Sequence, residues 1–204
     1  ITKGTLTLGS NYNIVFTPGT YTVEDKLPQD SFAFKDVVDG KVTKTYGDAD
    51  FTVAATDEAE GSSVSYESTN TNVATVDSTG KVTIHAAGTT TIKATAHETK
   101  DYAEKKIFYT LTVKPKTLTK DDLTYSGPIT KVYDTNTNAP TGLTVSVKSG
   151  SLVGSDTLAV TGMLKYNSAN VNEANKITFT PDAITTGNYA LAASEVLTIT
   201  GASI

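Results

Sequence analysis

Histidine is scarce in this chain, and His85 and His97 are its only two imidazoles. Cysteine is absent, so no thiolate metal site is available, and a histidine metal site or a histidine-activated nucleophile would have to use these rings. Both stand on outward-facing positions of alternating runs: His85 follows Val82 and Ile84, and His97 follows Ile92, Ala94 and Ala96. If Ile84 pairs with Ile92 on one sheet, His85 sits opposite Thr91, six residues short of His97. At about 3.3 Å per residue the two rings are then roughly 20 Å apart. Two solvated histidines, more than about 10 Å apart and sharing no metal, are expected.

The acidic residues give an equally bland reading. Asp48 and Asp50, and Asp121 and Asp122, suggest calcium, but neither pair has the ligand density of a dedicated calcium loop. Tyr46-Gly47-Asp48 and Tyr133-Asp134 offer either a ligand contact or a packed tyrosine beside a turn aspartate. Their recurrence at equivalent places favours packing at a sandwich edge. No Ser-His-Asp set or nucleophile elbow is present, and no local feature marks two of the 22 acids as a glycosidase pair. No catalytic, metal-binding or cofactor-binding residue is assigned, no cofactor is implied, and the chain is expected not to be an enzyme.

Composition narrows the partners. All 17 basic residues are lysine and the net charge is −5. Arginine, the side chain best suited to bidentate phosphate and base-edge contacts, is missing, which disfavours nucleic acid and an anionic membrane surface. No apolar run approaches 18 residues, so no helical membrane span is expected. The chain starts on Ile1 rather than Met and shows no signal peptide, which reads as a fragment of a longer protein.

The elements that carry these residues are strands. Threonine makes up roughly a fifth of the chain, and Val, Ile and Tyr are spread throughout, a bias that suits a pleated, half-buried surface. Tyr46 recurs 87 residues later as Tyr133, and Tyr102 recurs 87 residues later as Tyr189. The segment around Tyr102 also appears 90 residues earlier at Asn11-Tyr12-Asn13-Ile14. A fixed period of this length means one structural unit copied in tandem.

Residues 1–25 read as a three-strand meander with one apolar face (Leu6, Leu8, Ile14, Phe16, Tyr21 and Val23). Three strands alone are marginal, so they are taken as the closing strands of a preceding module. Their apolar face is expected to be covered, by packing on the second module or by pairing with a neighbouring chain. Packing on the second module is favoured, because Lys26-Leu27-Pro28 is a short tether.

The second module runs over 26–114. Asp77-Ser78-Thr79-Gly80 is a tight turn, after which Val82 and Ile84 face inward. Ile92, Ala94 and Ala96 are expected to be buried, with Thr91, Lys93 and Thr95 exposed. Ile107, Tyr109, Leu111 and Val113 alternate against Phe108, Thr110 and Thr112. Pro115 cannot donate to a ladder, which puts the joint between Val113 and Leu118. The third module, 115–204, alternates Leu143, Val145 and Val147 with Thr144, Ser146 and Lys148. Gly154-Ser155-Asp156 then turns into a run at Leu158–Val160. Ile177 and Phe179 lie on a later strand, and Tyr189 and Leu191 lead to a closing strand around Val196–Thr200. Short alternating strands with regular turns describe all-β sandwich modules in tandem, an elongated arrangement placed end to end.

Asn72–Ala94, with Val73-Ala74-Thr75-Val76, the Gly80-Lys81-Val82 turn and Gly88 leading to Ile92 and Ala94, resembles the group 2 bacterial immunoglobulin-like domain over roughly 44–113. Lys131-Val132-Tyr133-Asp134, Tyr166-Asn167-Ser168-Ala169-Asn170-Val171 and Gly187-Asn188-Tyr189 resemble the YDG repeat of bacterial surface proteins, with Thr135 where that motif has Gly. The backbone freedom of that glycine is expected to be dispensable here or moved to a neighbour. Residues 10–23 are similar to the closing strands of MBG repeats. The resemblance implies immunoglobulin-like sandwiches from long, secreted or surface-anchored, adhesin-like proteins, and carries no catalytic residues. Surface-anchored sandwiches sometimes cross-link Lys to Asn, but no particular pair stands out in this sequence.

The function this implies is a non-catalytic structural or stalk segment of a bacterial cell-surface or secreted protein, hence an extracellular location. The alternatives are a carbohydrate- or protein-binding module and an accessory region of a large extracellular enzyme. Expected partners are neighbouring modules of the same chain, with host or cell-wall glycans or proteins as further candidates. Trp is absent, and with it the strongest stacking platform for a sugar.

Overall fold

The computed structural model describes residues 12–17, 20–185 and 187–204, with side chains from Glu24 onward except at Thr186. The chain divides between Lys114 and Pro115 into two compact units, and both are built from strands.

In the first unit, β1 (Tyr12–Thr17) and β2 (Thr20–Asp25) pair antiparallel from Tyr12 opposite Asp25 to Thr17 opposite Thr20. The expected burial of Leu6, Leu8, Ile14, Phe16, Tyr21 and Val23 concerns side chains outside the described residues. Nine strands follow: β3 (Ala33–Phe34), β4 (Lys41–Thr45), β5 (Phe51–Thr52), β6 (Ala55–Thr56), β7 (Val64–Ser68), β8 (Ala74–Val76), β9 (Lys81–Ile84), β10 (Gly88–Ala96) and β11 (Lys105–Lys114). One sheet has the order β4-β11-β10-β7, a second β5-β9-β8, and β3 pairs with β6. Asp39 and Gly40, both at positive φ, turn the chain into β4, and the Lys41 amide closes the turn on the Val38 carbonyl at 3.0 Å. The Asp-Gly pair is a strong hairpin-turn signal.

The two long strands β10 and β11 run in antiparallel register from Gly88 opposite Val113 to Ala96 opposite Lys105. Period-two alternation puts Ile92, Ala94 and Ala96 on the same face as Tyr109, Leu111 and Val113, and all six are buried. Burying each large apolar side chain contributes roughly 1.5–3 kcal/mol. Phe34 meets the Tyr109 ring edge-on, with centroids 4.9 Å apart. Thr95 departs from expectation: it is only 5% exposed. Its strand is internal to the sheet, with Ser65 and Lys106 in register on either side, so neighbours cover a face that alternation alone assigns to water.

The second unit comprises β12 (Lys116–Leu118), β13 (Leu123–Ser126), β14 (Thr144–Val147), β15 (Gly162–Tyr166), β16 (Lys176–Pro181), β17 (Tyr189–Leu191) and β18 (Leu197–Thr200), with a short 3-10 turn at Lys120–Asp122. Its sheets are β15-β16-β18, β13-β14 and β12-β17. Leu143, Tyr166, Ala174, Ile177, Ile199 and Ala202 form one buried cluster. The Tyr166 hydroxyl donates into it, shared between the carbonyls of Ile129 (2.8 Å) and Ser203 (3.0 Å). The run at Leu158–Val160 is not a strand: it has no ladder partner, and regular pairing begins only at Gly162 opposite Pro181.

Part of the repeat is visible in the main chain. Leu27 donates to the Asp101 carbonyl and Lys116 to that of Asn188, in each case just before Tyr102 or Tyr189. Leu27 bridges Tyr102 in parallel, as Lys116 does Tyr189.

Candidate functional site

The two histidines lie on different sheets, which corrects the shared-sheet expectation. β9 pairs with β8 and β5, whereas Ile92 pairs with Ser68 and Tyr109, so Ile84 and Ile92 are never in register. Both rings are exposed. His85 Nε2 lies 2.9 Å from Thr75 Oγ1 on its own sheet, and His97 Nε2 lies 2.8 Å from Ser65 Oγ on the other. Among the described residues, no three His, Cys, Asp or Glu side chains converge on a point that could hold a metal.

The aspartates at the strand ends are committed to local structure. The Thr45 amide donates to Asp48 Oδ2 at 2.8 Å and the Asp48 amide returns a bond to the Thr45 carbonyl at 3.0 Å. Thr119 and Asp122 repeat the same reciprocal pair at 2.8 and 3.0 Å. Thr-x-x-Asp is a capping signature readable in sequence. The Thr119 amide holds the Asp122 carboxyl below the usual carboxylate range; burial opposes this, and the Ser151 and Thr119 hydroxyls reinforce it. Asp50 lies 2.8 Å from Lys81 Nζ, whose hydrogen bond lowers its pKa, and Asp121 lies 2.9 Å from Lys120 Nζ.

Tyr46 and Tyr133 do not occupy matching places. Tyr46 is buried and its amide donates to the Lys114 carbonyl on the closing strand of its unit. In the second unit the corresponding bond, to the Ser203 carbonyl, comes from Lys131. Tyr133 is 56% exposed, so the packed-tyrosine expectation fails there. Residues 131–136 instead wrap the Lys131 ammonium, which donates to Asp134 Oδ1 (2.6 Å), the Asn136 carbonyl (2.9 Å) and Asn136 Oδ1 (3.0 Å). The same ammonium lies 5.5 Å from the centre of the Tyr166 ring. The hydrogen bond from Lys131 holds the Asp134 carboxyl below its ordinary range, against the opposing effect of burial. Thr135, inside the loop, has φ of 65°. The backbone conformation a glycine would supply is therefore retained, and a β-branched residue is forced to adopt it.

Two features escaped the sequence. Gln29 is buried; its Nε2 donates to the Ala103 carbonyl (2.7 Å) and its Oε1 accepts from the Ala59 amide (3.0 Å). Leu118, two residues after Lys116 as Gln29 is after Leu27, is also buried, so the same place is polar in one unit and apolar in the other. The second feature is an open cleft of about 470 Å³ in the second unit, lined by Ser155–Leu158 and Gly187–Tyr189. The Tyr189 hydroxyl spans its floor, donating to Asp156 Oδ2 (2.7 Å) and accepting from the Val153 amide (2.7 Å). Burial raises the Tyr189 pKa above that of a free phenol. No local motif announces this cleft, because its two walls are some thirty residues apart in sequence.

Compared with known families, residues 32–107 match the bacterial Ig-like domain (group 2) and residues 114–196 match the YDG domain. No curated protein matches the chain. Both domain types are typical of bacterial surface proteins. Among the described residues, no helix is long and apolar enough to cross a membrane.

Proposed function

We propose that this pair, a group 2 bacterial Ig-like domain followed by a YDG domain, is a non-catalytic structural segment of a bacterial cell-surface or secreted adhesin-like protein. One observation carries the reading: the side chains that could do chemistry are engaged in holding strands and turns. His85 and His97 bond to hydroxyls of neighbouring strands, Asp48 and Asp122 close turns, and Asp50, Asp121 and Asp134 pair with lysines. A segment of this kind contributes folded bulk and spacing, and leaves recognition to other surfaces.

The test has two arms. Antibody raised against residues 24–204 should label intact, unpermeabilised cells of the source bacterium, and label that appears only after lysis would sink the surface assignment. Replacing the segment with an unrelated pair of β-sandwich domains in the full-length protein should leave its display unchanged. A hydrolytic or transfer activity lost on that replacement would overturn the non-catalytic reading.

A further inference from the structure

The cleft in the YDG domain is bordered by a piece of chain that alternates like a strand and has nothing to pair with. From Asp156 to Val160 the residues are alternately half-buried and exposed, the two-residue period of an extended chain. Leu158 and Val160 turn inward, and Thr157 and Ala159 turn out. The Asp156 amide donates to the Val153 carbonyl, and the Asp182 amide donates to the Thr161 carbonyl. Between those two bonds, among the described residues, Thr157, Leu158, Ala159 and Val160 make no main-chain hydrogen bond at all.

Two openings border the first part of this segment. Asp156, Thr157 and Leu158 line the 470 Å³ cleft together with Gly187, Asn188 and Tyr189. The same three residues line a second opening of about 340 Å³, whose other wall includes Ser146–Gly150. The chain is thus held in strand-like alternation, with open space beside Asp156, Thr157 and Leu158. Main-chain amides and carbonyls are obligatory hydrogen-bonding groups, and a row of them left unpaired is a template for another extended chain.

We propose that Thr157–Val160 is a strand-addition site. It receives an extended segment of a partner protein in the larger cleft against Gly187–Tyr189. Four extended residues span about 13 Å, and 470 Å³ lies within the roughly 300–1,000 Å³ of ordinary ligand clefts. Main-chain pairing supplies the affinity in recognition of this type, and alternate side chains supply the selectivity. A glycan is the weaker candidate for the same space. The one aromatic lining residue, Tyr189, is buried and its hydroxyl is engaged by Asp156 and Val153, so it offers no open face for a sugar to stack on.

In an extended strand, the amides of successive residues point to opposite edges. Pairing along one edge therefore engages one alternate pair, Thr157 with Ala159 or Leu158 with Val160, and spares the other. The test is residue-resolved amide hydrogen exchange on the full chain with a soluble probe, an acetylated and amidated Lys-Val-Thr-Val-Thr-Lys peptide at millimolar concentration. The expected result is slowing of exchange by at least about tenfold at one alternate pair. The same peptide N-methylated along its pairing edge should give no slowing, a control that leaves the protein untouched. The proposal is overturned by no protection at Thr157–Val160, by equal protection with the N-methylated peptide, or by protection with chitohexaose in place of the peptide. Protection that appears without peptide as protein concentration rises would assign the edge to a second copy of this chain and would equally overturn it.

Discussion

Thr135 shows how a single residue can hold a loop at a cost. Its φ of 65° lies in the left-handed region, where the Cβ of a branched residue crowds the backbone. Its hydroxyl donates to the Asp134 carbonyl at 2.6 Å, and the Lys131 ammonium ties Asp134 to Asn136 on either side. Glycine adopts the same backbone without the clash, so Thr135→Gly is expected to stabilise the YDG domain by about 1 kcal/mol. A higher urea midpoint with unchanged slope would show it; a lower midpoint would mean that the hydroxyl bond outweighs the strain. Asp122 contributes differently. Its folded pKa is depressed, so its contribution is complete above the unfolded value of about 3.9 and is lost as pH falls through the folded value. Stability of this domain should therefore drop with acidification below about pH 4, and Asp122→Asn should flatten that part of the profile. An unchanged acid limb in the variant would remove Asp122 from the account.

At the scale of elements, Gly162 sets how closely β15 can approach β16. A Cβ there would lie 2.7 Å from both Phe179 Cε2 and Pro181 Cα, and closer still to the Thr180 carbonyl. The obstacles are largely backbone, which cannot swing away. Gly162→Ala should destabilise the YDG domain by roughly 2 kcal/mol or more, read as a lower urea midpoint. A change below about 0.5 kcal/mol would mean the two strands have room to separate. Elements of this kind divide into those legible in the sequence and those that were not. Ile92, Ala94, Ala96, Tyr109, Leu111 and Val113 were readable because one buried face imposes alternation on each strand by itself. The partner of a strand is not local information. Hence His85 and His97 were put on one sheet, Thr95 was assigned to solvent, and Leu158–Val160 was read as a run following the Gly154-Ser155-Asp156 turn, although its alternation never meets a neighbour. The cleft beside it was invisible for the same reason, and the exposure of Tyr133 depended on Lys131 taking the contact with the closing strand.

For the whole molecule, the division between Lys114 and Pro115 makes a claim about folding that can be tested on one half alone. The YDG domain has its own buried cluster around Tyr166, Ile177 and Ile199, and its own closing contacts, from Thr130 and Lys131 to Ser203. A chain of this size buries only about 60–65% of its unfolded surface, so its margin is narrow, but small domains of this kind usually unfold in a single cooperative step. Residues 115–204 produced alone are therefore expected to give one cooperative thermal transition, with calorimetric and van't Hoff enthalpies in agreement. Ile177 is fully buried at the centre of the cluster, and truncating it to alanine should cost about 2–5 kcal/mol. In a domain of 60–100 residues each kilocalorie moves the midpoint by about 4–8 °C, so the Ile177→Ala variant should melt at least about 8 °C lower. A broad, enthalpy-poor transition in the isolated domain, or a midpoint indifferent to Ile177→Ala, would mean that this core does not sustain the fold by itself.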